Sequence, residues 1–156
     1  METRFSLFAA AIVLLFPTMV ALADEALDAA AAEMNAALGI VPPFIELLPE
    51  GARPGAWEFW KGLSGNPKGE IPPKYRELIM LGVAAQIPCA YCAYAHTVFA
   101  KANGASDTEV QEAIGYGAEV RLWSTILNGS QYDLDKFKAE IDGILKHVSE
   151  QAKKSN

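Results

Sequence analysis

The chain has 156 residues, 51% apolar and 21% charged, with 19 acidic against 13 basic side chains and a net charge of -6. That length suits one domain with a real hydrophobic core, and the apolar content excludes intrinsic disorder. The acidic balance excludes a nucleic-acid surface, which needs clustered cations. Two cysteines and two histidines exclude a disulfide-stapled mini-scaffold and a many-histidine metal cage.

In chain order, residues 1–23 read as a signal peptide. Met1 to Arg4 is a short polar start, and in Phe5 to Phe16 only Ser6 is polar. Pro17 ends the run, and Ala21-Leu22-Ala23 offers the small-x-small pattern of a cleavage site. Cleavage after Ala23 is expected to leave residues 24–156 as a single domain. The competing reading is an uncleaved anchor, since Phe5 to Ala23 lies near the lower length limit for a bilayer span. Both place the domain outside the reducing cytoplasm, in the periplasm if the host is Gram-negative, where disulfides persist.

The remainder predicts helix after helix. Asp24 to Leu38 carries Leu27, Ala31, Met34 and Leu38 on one stripe, with Gly39 as its stop. Pro42, Pro43, Pro49 and Gly51 punctuate an irregular passage before a short helix over Pro54 to Leu63. Its Trp57 and Trp60 read as core or subunit contact. Gly65 to Gly69 is a loop, and Pro73 opens a helix to about Ile87. Pro88 interrupts, and a further helix runs from about Cys89 to Asn103, capped by Gly104. Ser106-Asp107-Thr108-Glu109 is a capping box for a helix towards Asn128 and Gly129. Gly115 and Gly117 are expected to permit close helix packing there, and Arg121 to pair with a carboxylate. Asp133 caps a last helix whose stripe of Leu134, Phe137, Ile141, Ile144 and Val148 is expected to pack on the rest. His147 and the C-terminal lysines read as solvated surface. The fold class is all-α.

The chemistry lies in one place. Both cysteines belong to Cys89-Ala90-Tyr91-Cys92, and His96 follows four residues later. Their spacing puts two sulfurs on one face of a helix start, close enough to make and break a disulfide. A helix N-terminus favours the thiolate. His96, one turn beyond Cys92, is placed to serve that sulfur as a base. Glu77 stands on an otherwise apolar face of the preceding helix, with Met80, Leu81 and Ala84. If the Pro88 turn folds the two helices together, Glu77 lies nearer His96 than either cysteine. A relay results, in which Glu77 orients His96 and His96 serves Cys92. The bland alternatives are a static disulfide and a zinc site of two thiolates, His96 and Glu77. Structural zinc sites draw on two ligand clusters, and the second is missing, so no metal is expected.

Glu77, eleven residues, Cys89-x-x-Cys92, three residues and His96 resemble the E-x11-C-x2-C-x3-H signature of AhpD-like proteins, a branch of the carboxymuconolactone decarboxylase-like superfamily. The words Pro72-Pro73-Lys74-Tyr75-Arg76-Glu77-Leu78-Ile79 and Ala102-Asn103-Gly104-Ala105-Ser106 also match, and the similarity spans about residues 40–129. The resemblance implies an orthogonal bundle of about six helices with CxxC at a helix N-terminus, assembling as a homotrimer or homohexamer. It also implies thiol-dependent reduction of hydroperoxides without a bound cofactor. Cys92 would attack the peroxide, Cys89 would resolve the sulfenic acid, and Glu77 with His96 would relay protons. In the best-known member a further histidine stands where this chain has Tyr91, a far weaker base. Lipoyl-bearing electron donors, implied for a cytoplasmic relative, would not meet an exported chain, so the residues leave the donor unnamed. The alternatives are an exported dithiol-disulfide exchanger acting on proteins or small thiols, a lactone decarboxylase, whose chemistry needs no CxxC, and a non-enzymatic ring-forming protein with a structural disulfide.

Overall fold

The computed structural model describes residues 5–154, with side chains from residue 21 onward. Met1 to Arg4 and the side chains of the apolar run invoked for the signal peptide lie outside the described residues. Six α-helices follow one another: α1 (Phe5–Leu38), α2 (Arg53–Gly62), α3 (Pro73–Gln86), α4 (Ala90–Ala102), α5 (Asp107–Gly129) and α6 (Leu134–Lys154). Among the described residues there is no strand, and the fold class is all-α. Two 3-10 turns, Pro43–Leu47 and Glu50–Ala52, occupy the proline-punctuated passage. Among the described residues no helix is long and apolar enough to cross a membrane. The chain divides into two compact units, residues 1–70 and 71–156.

In the first unit α1 meets α2, but of the expected stripe only Met34 is buried, Leu27 and Ala31 are half-buried and Leu38 is exposed. Ala30, Met34 and Trp57 form the buried cluster, with Val41 and Ile45 against it. The Trp57 indole N–H donates to the Glu33 carboxylate at 2.8 Å, which satisfies a polar atom carried into the core. Lys61 pairs with Glu33 and with Glu58. Trp60 stacks on Trp57 with ring centroids 4.9 Å apart, so Trp57 fills the expected core position while Trp60 stays largely exposed. Gly39 ends α1 in the left-handed region at φ 76°, where a side chain would be strained.

The second unit is built on α3, α4 and α5. Pro73 takes the first turn of α3, where its missing N–H costs nothing. Ser106 and Glu109 cap α5 reciprocally, as expected. Leu81 of α3, Ala100 at the end of α4, Ala105 and Val110 form the buried core, with Leu78, Ala93 and Ala113 packed on it. Most of these side chains are small, so the helices approach closely. At Gly117 a Cβ would stand 2.9 Å from the Gly82 carbonyl oxygen, and at Gly82 one would stand 3.1 Å from that of Ala113. Gly115 plays no such part, because open space surrounds its Cβ position. Two residues along a helix turn through about 200°, so Gly115 and Gly117 cannot face one neighbour.

Lys74 ties α3 to α5 through Glu109 at 2.7 Å. Its ammonium, helped by the Ser106 backbone, holds the Glu109 carboxyl below its ordinary value of 4.5. Hydrogen bonding to Glu109 in turn holds Lys74 above 10.5. A lowered carboxylate stabilises the fold above 4.5, and that contribution disappears as pH falls through the lowered value. The raised lysine contributes below 10.5 and ceases to as pH rises through its own value. In urea unfolding, Lys74→Met is therefore expected to flatten the loss of stability between roughly pH 5 and pH 3. The effect is small, because the pair is partly exposed.

Asp133 accepts from the Lys136 N–H at 2.7 Å and caps α6 as anticipated. Within its own unit the stripe of α6 is largely uncovered, with Phe137 alone of its members half-buried, which corrects the expectation. Leu134, Ile141, Ile144 and Val148 are exposed, and α6 has no buried residue. Periodicity specifies which face of a helix is apolar; it does not specify what covers that face.

Candidate redox site

The site begins at the turn after α3. The Cys89 N–H reaches back to the Ala84 carbonyl at 3.2 Å, and Cys89 then adopts extended backbone at the N-cap of α4. A helix start leaves backbone N–H groups without intrahelical partners. Here the Cys89 sulfur accepts one, the Cys92 N–H, at 3.1 Å. It fills the role usually taken by a serine or aspartate oxygen. Cys89 and Cys92 are joined as a disulfide with Cα atoms 5.3 Å apart. Both residues are half-buried, so the bond is neither sealed in the core nor fully open.

His96 lies on α4 one turn beyond Cys92. Its Nδ1 stands 2.8 Å from the Glu77 Oε2, which joins α3 to α4. The two side chains are only 23% and 14% exposed, a degree of burial at which a carboxylate keeps a partner. A carboxylate accepts, so Nδ1 carries the hydrogen and the lone pair of the neutral ring lies on Nε2. That arrangement holds the imidazole in a fixed tautomer and orientation, with its basic nitrogen turned away from Glu77. The structure thus brings Glu77 to His96, which stands one helical turn along α4 from Cys92.

Other charged residues singled out in the sequence stand apart. Arg121 meets no carboxylate in the contacts seen; it donates to the Gln86 side-chain oxygen at 2.9 Å and to the Gln86 carbonyl at 3.0 Å. It therefore caps the end of α3, where carbonyls lack intrahelical donors. His147 is exposed on α6. Among the described residues no group of three or more His, Cys, Asp or Glu side chains is placed to hold a metal ion. The sulfur cap at Cys89 has no clear signal in the sequence, because cysteine is not among the favoured capping residues. Only its place between Pro88 and a helical run points there.

Fold and site together define an all-α protein of the AhpD-like type, with a CxxC disulfide at a helix start and a half-buried carboxylate–imidazole pair joining α3 to α4. The model of the carboxymuconolactone decarboxylase family matches residues 55–132, half of the sequence and all of the motif, and the chain belongs to that family. Its fold is also that of the alkylhydroperoxidase AhpD core from Rhodospirillum rubrum, whose crystal structure superposes with a TM-score of 0.63. The two are 22% identical, over 74% of this chain and 87% of the other. No curated protein matches the sequence.

Glu77→Gln keeps the shape of the carboxylate and removes its charge. In reduced protein, alkylation of Cys92 at neutral pH is expected to slow by about tenfold, the effect of one pKa unit of lost thiolate stabilisation. Circular dichroism should show unchanged helix content. An unchanged alkylation rate would remove Glu77 from the relay.

Proposed function

We propose that this chain is an exported thiol-dependent peroxidase that reduces hydroperoxides through the Cys89/Cys92 dithiol. The Cys92 thiolate attacks the terminal peroxide oxygen, the O–O bond breaks, and the alcohol leaves with a proton relayed through His96. Cys92 becomes a sulfenic acid. Cys89 attacks that sulfur, water departs, and the disulfide forms. Two electrons from a dithiol donor then restore both thiols. Glu77 is the positioning residue that keeps the imidazole oriented.

The observation that carries this reading is the 2.8 Å bond between His96 and Glu77 beside the cysteine pair. A cross-link needs no base, whereas a peroxide-attacking thiolate does. Stopped-flow mixing of reduced protein with a hydroperoxide is the test. Oxidation no faster than the uncatalysed thiol reaction would refute peroxidase activity. The second reading, a dithiol-disulfide exchanger with no peroxide involved, is favoured by the Cys89 sulfur at the helix cap, the position of a stabilised thiolate. A reduction potential below about −300 mV would instead mark a structural bridge.

Two features support the rest of the proposal. Among the described residues, the α1 members of the first core cluster are Ala30 and Met34, and cleavage after Ala23 would keep both. A groove of about 610 Å³ between α3 and α5, lined by Tyr75, Ile79, Val83, Tyr116 and Val120, is apolar and open, as is the stripe of α6. Such faces suit a homotrimer or homohexamer, which sedimentation of the mature protein would detect.

A further inference from the structure

Residues 78–100 contain no Asp, Glu, Lys or Arg, in a chain that is 21% charged. His96 aside, the segment that carries both cysteines thus has no charge of its own, and α5 brings it a cation. Arg121 donates from Nε to the Gln86 side-chain oxygen at 2.9 Å and from Nη2 to the Gln86 carbonyl at 3.0 Å. Room for the Gln86 amide comes one turn earlier on α5, where a Cβ at Gly117 would stand 3.1 Å from its nitrogen. Cys89 bonds the same helix end. Its N–H donates to the carbonyl of Ala84, two residues before Gln86, at 3.2 Å. Arg121 and Cys89 therefore share the last turn of α3.

We infer that Arg121 is a positioning residue of the redox pair, favouring its reduced state through the end of α3, a role that rests on the reading that the disulfide cycles. The carbonyls at a helix C-terminus form a negative pole of about half an elementary charge, felt within the last turn. Cys89 is hydrogen-bonded inside that turn, so the pole opposes a thiolate there and works against the help given by the start of α4. A guanidinium on the Gln86 carbonyl offsets the pole. The disulfide carries no charge and gains nothing from the cation, which therefore acts on one redox state. A plain helix cap would stabilise both states alike.

Equilibration of the oxidised chain with dithiothreitol measures the effect. One S–S bond breaks in the protein and one forms in the reagent, which supplies both electrons and ends as its cyclic disulfide. Its two thiol protons pass to the cysteines, or one is released to solvent where the pair holds a thiolate. At about pH 9, above the ordinary cysteine value, the equilibrium constant includes the stability of that thiolate.

Arg121→Met is expected to lower the constant for reduction about threefold, within the range for a cation at a helix C-terminus. Arg121→Lys keeps the charge and should restore most of it. Arg121 is exposed, so circular dichroism should show unchanged helix content in both variants. Urea unfolding of Arg121→Met should lose more stability in the reduced form than in the oxidised one. An unchanged constant, with equal loss in the two forms, makes Arg121 a structural cap and overturns the proposal. So does a lysine variant that shifts as far as the methionine one. If dithiothreitol fails to reduce the bond even in the unaltered chain, the redox reading falls and takes this role with it, whereas refutation at Arg121 alone leaves that reading standing.

Discussion

Cys92→Ser is expected to lower peroxide consumption on the order of 10³-fold or more, since loss of a covalent nucleophile costs up to about 10⁶-fold in kcat. The companion variant makes the result specific. Cys89→Ser keeps the attacking thiol and its base but cannot close the disulfide, so it should complete one turnover and stop. Dimedone should then label a sulfenic acid at Cys92. The two cysteines are not equivalent, because one caps the helix through its sulfur while the other has His96 a turn away. Equal losses in both variants with no trapped sulfenate would argue that Cys92 is not the attacking group.

Leu81→Ala is expected to cost about 2–5 kcal/mol, the range for removing a buried leucine from a tight core. Leu81 is 1% exposed and is the largest side chain in the second unit's buried cluster, whose other members are Ala100, Ala105 and Val110. Small neighbours have little side chain with which to fill the space. The helices cannot slide together either, because Gly117 already brings α5 against the α3 backbone. Urea unfolding should show the full loss, with the melting temperature falling by roughly 10 °C. A change below about 1 kcal/mol would mean that the site collapses more freely than this packing allows.

The helices were legible because local rules fix them. Pro73 at a first turn, the Ser106–Glu109 box, Gly39 and Asp133 each act within four residues, and each appears where expected. The proximity of Glu77 and His96 was legible for a related reason: two helices joined by a three-residue turn can meet in few ways, and helical rise fixes the heights. Longer-range outcomes were not. Whether the stripe of α6 finds a partner depends on surfaces distant in sequence, and it finds none that buries it. Arg121 took an amide and a carbonyl instead of a carboxylate because the end of α3 presents them where α5 passes. Gly115 and Gly117 look alike in one dimension, and only their rotation about the helix axis separates them.

The sulfur that closes the start of α4 has one further consequence. A protein whose cross-link also anchors its backbone usually rearranges when that link is cut. Here the Cys92 amide is tied to Cys89 itself, so opening the bond leaves the first turn of α4 tethered. Amide exchange at residues 92 and 93 should be equally slow in both redox states. On the proposed cycle, electrons would enter and leave without unwinding the start of α4, which suits a carrier of reducing power rather than a sensor.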